Sequence, residues 1–147
     1  MKIVLASDHA GFEMKEYLKK FLSKEYEIVD NGTFTCDPVD YAPLSIKAAE
    51  EVASGRCARA VIICGTGIGS SIAANKVKGI RAALCHSTDF ARLSRQHNDA
   101  NVLILPGRFI ANYLAAEIAA LWLKTDFTND ERHIRRIEQI KEYEVRK

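Results

Sequence analysis

The chain has 147 residues, 48% hydrophobic and 27% charged, enough to bury one core and typical of a globular protein. Lys and Arg total 21 against 19 Asp and Glu, and the resulting net charge of +2 argues against general binding to nucleic acid or a membrane surface. Four cysteines, at 36, 57, 64 and 85, form no Cys-x-x-Cys pair and no Cys/His ligand spacing, so no zinc site is expected.

In chain order, Ile3-Val4-Leu5-Ala6 reads as a buried strand ending at Ser7-Asp8-His9. This apolar run is too short for a signal peptide, and no segment is long enough to span a bilayer. With reduced thiols, these features point to a cytosolic protein. Met14, Tyr17, Leu18, Phe21 and Leu22 then recur at helical spacing, and Glu27-Ile28-Val29-Asp30 forms a second strand closed by Asn31-Gly32. Pro43 suits the first turn of a helix that Gly55 ends.

Ala60-Val61-Ile62-Ile63-Cys64 is the clearest buried strand, followed by a glycine-rich turn and a helix of small residues. Ile80 to Leu84 and Asn101 to Leu105 complete five strands, each followed by a helix: Thr88 to Gln96, then Ile110 to Trp122. The last segment carries Ile134, Ile137 and Ile140 on one stripe, with Thr128-Asn129-Asp130-Glu131 as its capping box.

Strands that are apolar throughout, alternating with helices, predict a parallel sheet covered on both faces. The fold class expected is α/β: a single-domain, Rossmann-like three-layer fold over residues 1–147, with a five-stranded parallel sheet and a C-terminal helix. Ligands in such folds bind beyond the carboxyl ends of the strands. Asp8-His9, Cys64 to Gly69 and Cys85-His86 occupy such ends.

In Cys64-Gly65-Thr66-Gly67-Ile68-Gly69, the glycines let the backbone approach a ligand, and free N–H groups would attract an anion. The same groups would stabilise a thiolate at Cys64 and an enediolate oxygen beside it. The competing reading is a packing turn with an inert cysteine. A dinucleotide fingerprint fails on spacing and on its position at the third strand.

His97, between a helix and a strand, could exchange protons near neutral pH or simply be solvated. Asp8 could handle substrate or cap a helix, with His9 as a bystander. Arg132 and Arg136 are four apart and share a helix face, either solvated or holding a shared anion such as a phosphate. Arg108, after Pro106-Gly107, is a further candidate, whereas His86 and His133 have no supporting neighbours.

Several stretches together resemble the type B ribose-5-phosphate isomerase family, which includes allose- and galactose-6-phosphate isomerases. They are Ser7-Asp8-His9-Ala10-Gly11, Val39-Asp40-Tyr41, Ile63 to Gly69, Ile72 to Lys76, Gly79 to Ala82, Leu93 to Val102, and Arg132-His133 with Arg136. The resemblance implies an aldose-ketose isomerase that uses no cofactor. In it Cys64 moves the proton between carbons 2 and 1, and Thr66 with the N–H groups of Gly65, Gly67, Ile68 and Gly69 stabilises the enediolate. His97 opens the furanose ring, Asp8 handles a sugar hydroxyl and Asn98 binds the sugar, while His9, Arg108, Arg132 and Arg136 surround the phosphate.

The resemblance also implies a homodimer, with a tetramer left open, in which the His97-Asn98 segment of one subunit covers the cysteine loop of the other. Cys64 with Ser70 marks the cysteine branch, since another branch has a glutamate base at the position of Ser70. Ser70 also stands where an aliphatic residue is common beside the anion site, which implies an influence on substrate range. Asp40-Tyr41-Ala42-Pro43 moves a proline that usually follows the tyrosine directly. Ribose 5-phosphate is the expected substrate; the alternatives are a six-carbon phosphate such as allose 6-phosphate, or binding without catalysis.

Overall fold

Five short apolar segments pair into one all-parallel sheet in the order β2-β1-β3-β5-β4. They are β1 (Lys2–Ser7), β2 (Glu27–Asp30), β3 (Arg59–Cys64), β4 (Ala82–Leu84) and β5 (Val102–Pro106). The computed structural model describes residues 1–146. β1, β3 and β5 are buried almost end to end, because both faces of the sheet are covered.

Alternate residues point to opposite layers. Ile3, Leu5, Val61, Ile63, Leu103 and Leu105 meet helices α1 (Phe12–Leu22), α4 (Thr88–Asn98) and α5 (Asn112–Lys124). Val4, Ala6, Ala60, Ile62, Val102 and Ile104 meet α2 (Tyr41–Ala53) and α3 (Ile68–Ala74). The three-layer α/β expectation therefore holds, and no helix among the described residues is long and apolar enough to cross a membrane.

The chain leaves β1 towards β2 on one side and returns through α2 to β3 on the other. The direction of winding therefore reverses between β1 and β3. In open parallel sheets the crevice at this switch is the ligand site.

Three expectations are corrected. α4 runs to Asn98, not Gln96, so His97 lies in the last helical turn and not in a loop. Its helical path continues because Arg95 ties the helix end to Thr125 and Ala100 carbonyls, at 3.1 and 2.7 Å. The C-terminal helix α6 (Glu131–Val145) has no capping box. Asp130 makes no side-chain cap bond, and Thr128 instead donates its N–H and hydroxyl to the Gln96 carbonyl, at 3.3 and 3.0 Å. The inward stripe of α6 is His133 and Ile137, four apart, while Ile134 and Ile140 are 40% and 50% exposed.

Candidate active site

Two clusters of the expected residues form, at opposite ends of the sheet. The first gathers at the carboxyl ends of β1 and β3. The register pairing Ser7 with Ile63 brings the next residues, Asp8 and Cys64, side by side, and Asp8 N–H donates to the Ile63 carbonyl at 3.2 Å. Both side chains are buried.

Asp8 does cap the short turn His9–Gly11, with Oδ1 accepting from Gly11 N–H at 3.1 Å. Its second carboxylate oxygen remains available to a ligand hydroxyl. His9 is held as well: its Nδ1 accepts the Val39 N–H at 3.1 Å. In the neutral ring that bond places the proton on Nε2, which becomes a donor.

The loop after Cys64 turns through Gly67 in the left-handed region, φ 77°, where a Cβ would strike Leu84 and stand 3.2 Å from Ile104 Cγ2. Thr66 Oγ1 accepts from Ile68 N–H at 3.1 Å, leaving its hydroxyl proton free to donate. Arg108 joins this cluster. Its N–H bonds the Gly65 carbonyl at 3.0 Å, and its Nη1 lies 3.2 Å from where a Gly65 Cβ would be. Tyr41, which carried no role in the sequence reading, lays its ring against Gly69, with the hydroxyl oxygen 2.7 Å from a Cβ built there. Its signal in sequence was the Asp-Tyr pair just before a helix; what it faces depends on tertiary packing.

The Ser70 side chain, in the first turn of α3 directly after the loop, is 1% exposed and bonds Ser45 Oγ at 2.9 Å between α2 and α3. The displaced Pro43 fits the first turn of α2, which begins at Tyr41.

The second cluster holds His97 and Asn98 at the end of α4 with Arg132 and Arg136 on α6. The His97 ring stacks on His133 at 4.3 Å between centroids. Among the described residues, Arg108, Arg132 and Arg136 have no carboxylate partner within 4 Å. Three free guanidinium groups suit a doubly charged anion.

One chain does not bring the two clusters together. α4 runs back from β4 to the start of β5, so His97 and Asn98 lie near the level of Val102, which pairs with Ala60. Cys64 is level with Pro106, four residues along, or about 13 Å up the sheet. The face around Cys64 also carries open apolar surface. A hollow of about 330 Å³ beside Thr66 is lined by Ile68, Leu84, His86, Pro106 and Phe109, and Ile68 and Phe109 are 56% and 72% exposed. The His86 ring also packs against Phe90 in a tilted pair, with centroids 4.9 Å apart.

A family model described as Ribose/Galactose Isomerase matches residues 3–140. The chain belongs to the ribose/galactose isomerase family. As a member it is a sugar-phosphate isomerase of the type B kind, in agreement with the motif resemblance. Ribose-5-phosphate isomerase B of Escherichia coli is 40% identical over 99% of this chain and 98% of that protein. The 4-deoxy-4-sulfo-D-erythrose isomerase of a Clostridium species is 42% identical, covering 88% of this chain and 83% of that one. The structure of Clostridium thermocellum ribose-5-phosphate isomerase B superposes with a TM-score of 0.97 at 48% identity, covering 99% of each chain.

Proposed function

We propose that this isomerase interconverts ribose 5-phosphate and ribulose 5-phosphate through an enediolate, in a homodimer whose two sites are each built from both chains. The observation that carries this reading is the split of the site residues into two incomplete clusters about 13 Å apart along the sheet. A two-fold axis setting the second cluster of one chain over the first cluster of the other completes both sites at once. It would also cover the apolar surface around Ile68 and Phe109 and exclude water from the reacting atoms.

In such a site the partner's His97 moves the ring proton that opens the furanose, and the partner's Asn98 holds the sugar. His9 Nε2–H, Arg108 and the partner's Arg132 and Arg136 take the phosphate. Asp8 accepts from a sugar hydroxyl. Cys64, as thiolate, removes the proton on carbon 2, and the electron pair moves onto the carbonyl oxygen at carbon 1. The Thr66 hydroxyl and the backbone N–H groups of Gly65, Gly67, Ile68 and Gly69 stabilise the resulting charge; the Ile68 N–H is held by Thr66 Oγ1 until then. A proton passes between the two enediolate oxygens, and the thiol returns its proton to carbon 1. No step calls for a redox cofactor.

The test is a coupled assay of purified protein on ribose 5-phosphate, allose 6-phosphate and a four-carbon aldose phosphate. The reading expects the highest kcat/KM with ribose 5-phosphate. A higher value for the six-carbon substrate replaces it with the allose 6-phosphate alternative, and turnover of none leaves a sugar-phosphate-binding protein. Cys64→Ala should lower kcat by at least about 10²–10⁴-fold while ribose 5-phosphate still binds.

A further inference from the structure

His133 lies in the first turn of α6 and presents a ring face to His97, with centroids 4.3 Å apart and planes 17° from parallel. The two rings differ in setting. His133 is 4% exposed, whereas His97 is half-buried, so the stack has an inner and an outer member. Nε2 of the inner ring is enclosed without a hydrogen-bond partner among the described residues, and Asp130 Oδ2, at 3.9 Å, is beyond reach. A buried polar atom left unpaired is costly, and a leucine would fill this helix contact without that cost. Something other than filling space favours a flat polar ring here.

The backbone around His97 is already held. Thr128 donates twice to the Gln96 carbonyl on one side. On the other, Arg95 binds the Ala100 carbonyl and Asp99 Oδ1, both at 2.7 Å. What remains is rotation of the His97 side chain, and the face of His133 limits that rotation.

We propose that His133 is a positioning residue for His97, holding its imidazole by a face-to-face stack in the orientation that opens the sugar ring. The inference rests on the reading that His97 performs that step. Burial first, then the neighbouring charges of His97 and Arg132, hold His133 below the ordinary histidine range, with Asp130 opposing and Arg136 adding to the effect. At neutral pH the inner ring is therefore uncharged, and it offers no repulsion when the outer ring carries a proton.

The experiment is a double-mutant cycle on ribose 5-phosphate with His97→Ala, His133→Ala and the pair, alongside His133→Phe and inhibition by inorganic phosphate. His133→Ala should lower kcat about tenfold or more, since misplacing a reacting group by about 1 Å costs up to about 10²-fold. In the His97→Ala background the same change should cost less than twofold. His133→Phe keeps a flat ring under His97 and should restore activity to within about threefold of wild type.

Phosphate inhibition, which reports the neighbouring Arg132 and Arg136, should shift less than twofold in every variant that folds. Additive losses, a Phe variant as poor as the Ala variant, or loss of phosphate inhibition with His133→Ala would each overturn the proposal. If His133→Ala does not fold, the Phe variant decides alone: activity more than tenfold below wild type overturns the proposal, and activity within threefold supports it. Failure of the underlying reading looks different, because His97→Ala itself would then leave kcat unchanged.

Discussion

Ser70 and Ser45 share a 2.9 Å hydrogen bond, both 1% exposed, inside the contact between α2 and α3. Ser45 also bonds the Tyr41 carbonyl at 2.8 Å, so the pair ties the helix after the anion loop to the residue whose ring covers Gly69. From this packing we expect Ser70 to act through the fold and not by contact with substrate. Ser70→Ala should lower the unfolding free energy by about 1 kcal/mol in urea titration. The ratio of turnover on five- and six-carbon phosphates should stay within twofold. A tenfold change in that ratio would restore a direct role in substrate range.

Gly67 has the most demanding backbone of the anion loop. Gly67→Ala must hold an alanine in the left-handed region and push a methyl group against Leu84. These two effects cost about 1–2 and 1–3 kcal/mol. The variant should melt at lower temperature and lose most of its turnover, because the loop must shift to fit the methyl group. Full activity with unchanged melting would show that the loop relaxes freely.

Lys15 is fully buried and reaches both Asp30 oxygens, at 2.8 and 2.9 Å, while Lys19 adds a third bond at 2.8 Å. Burial alone would raise the Asp30 carboxyl, but the bonds from Lys15, Lys19 and Gly32 N–H outweigh it and hold the group below its ordinary value. A depressed carboxylate contributes stability above the unfolded-state value, about 3.9, and loses it as pH falls through the folded one. Asp30→Asn should therefore destabilise by about 3–5 kcal/mol at pH 7, with the gap closing below about pH 4. An equal gap at pH 7 and pH 3 would contradict this.

His133 has a pH signature of the same sign in a higher pH window. Its folded value lies below the unfolded one, so the unfolded chain takes up protons first as pH falls below about 6.5, and folding weakens from there downward. Urea unfolding at pH 7.5 and 5.5, at fixed protein concentration, should show a larger loss for wild type than for His133→Phe. Equal losses would mean that His133 protonates freely in the folded protein.

The layers of the fold were legible in sequence because Ile3 to Ala6, Ala60 to Cys64 and Val102 to Leu105 are apolar at every position, which requires cover on both faces. The insertion of β5 between β3 and β4 was not, since strand order is a choice among long-range pairings. Asp8 and Cys64 could be placed together because both end strands. His97 could be named but not located: its helix extends past Gln96 on the strength of contacts from Arg95 to Thr125, thirty residues away. The bond from Ser70 to Ser45 was not legible for the same reason, since it depends on the packing of α2 on α3.

The central claim is that Cys64 of one chain works with His97 of its partner, and co-refolding tests it most directly. Cys64→Ala and His97→Ala chains, each of low residual activity alone, are unfolded together in equal amounts and refolded. If sites are shared, a mixed dimer has one site with both lesions and one intact. About half the dimers are mixed, so about a quarter of wild-type activity should return. If both residues came from one chain, every site would keep a lesion. No recovery in a sample shown to contain mixed dimers would contradict the account.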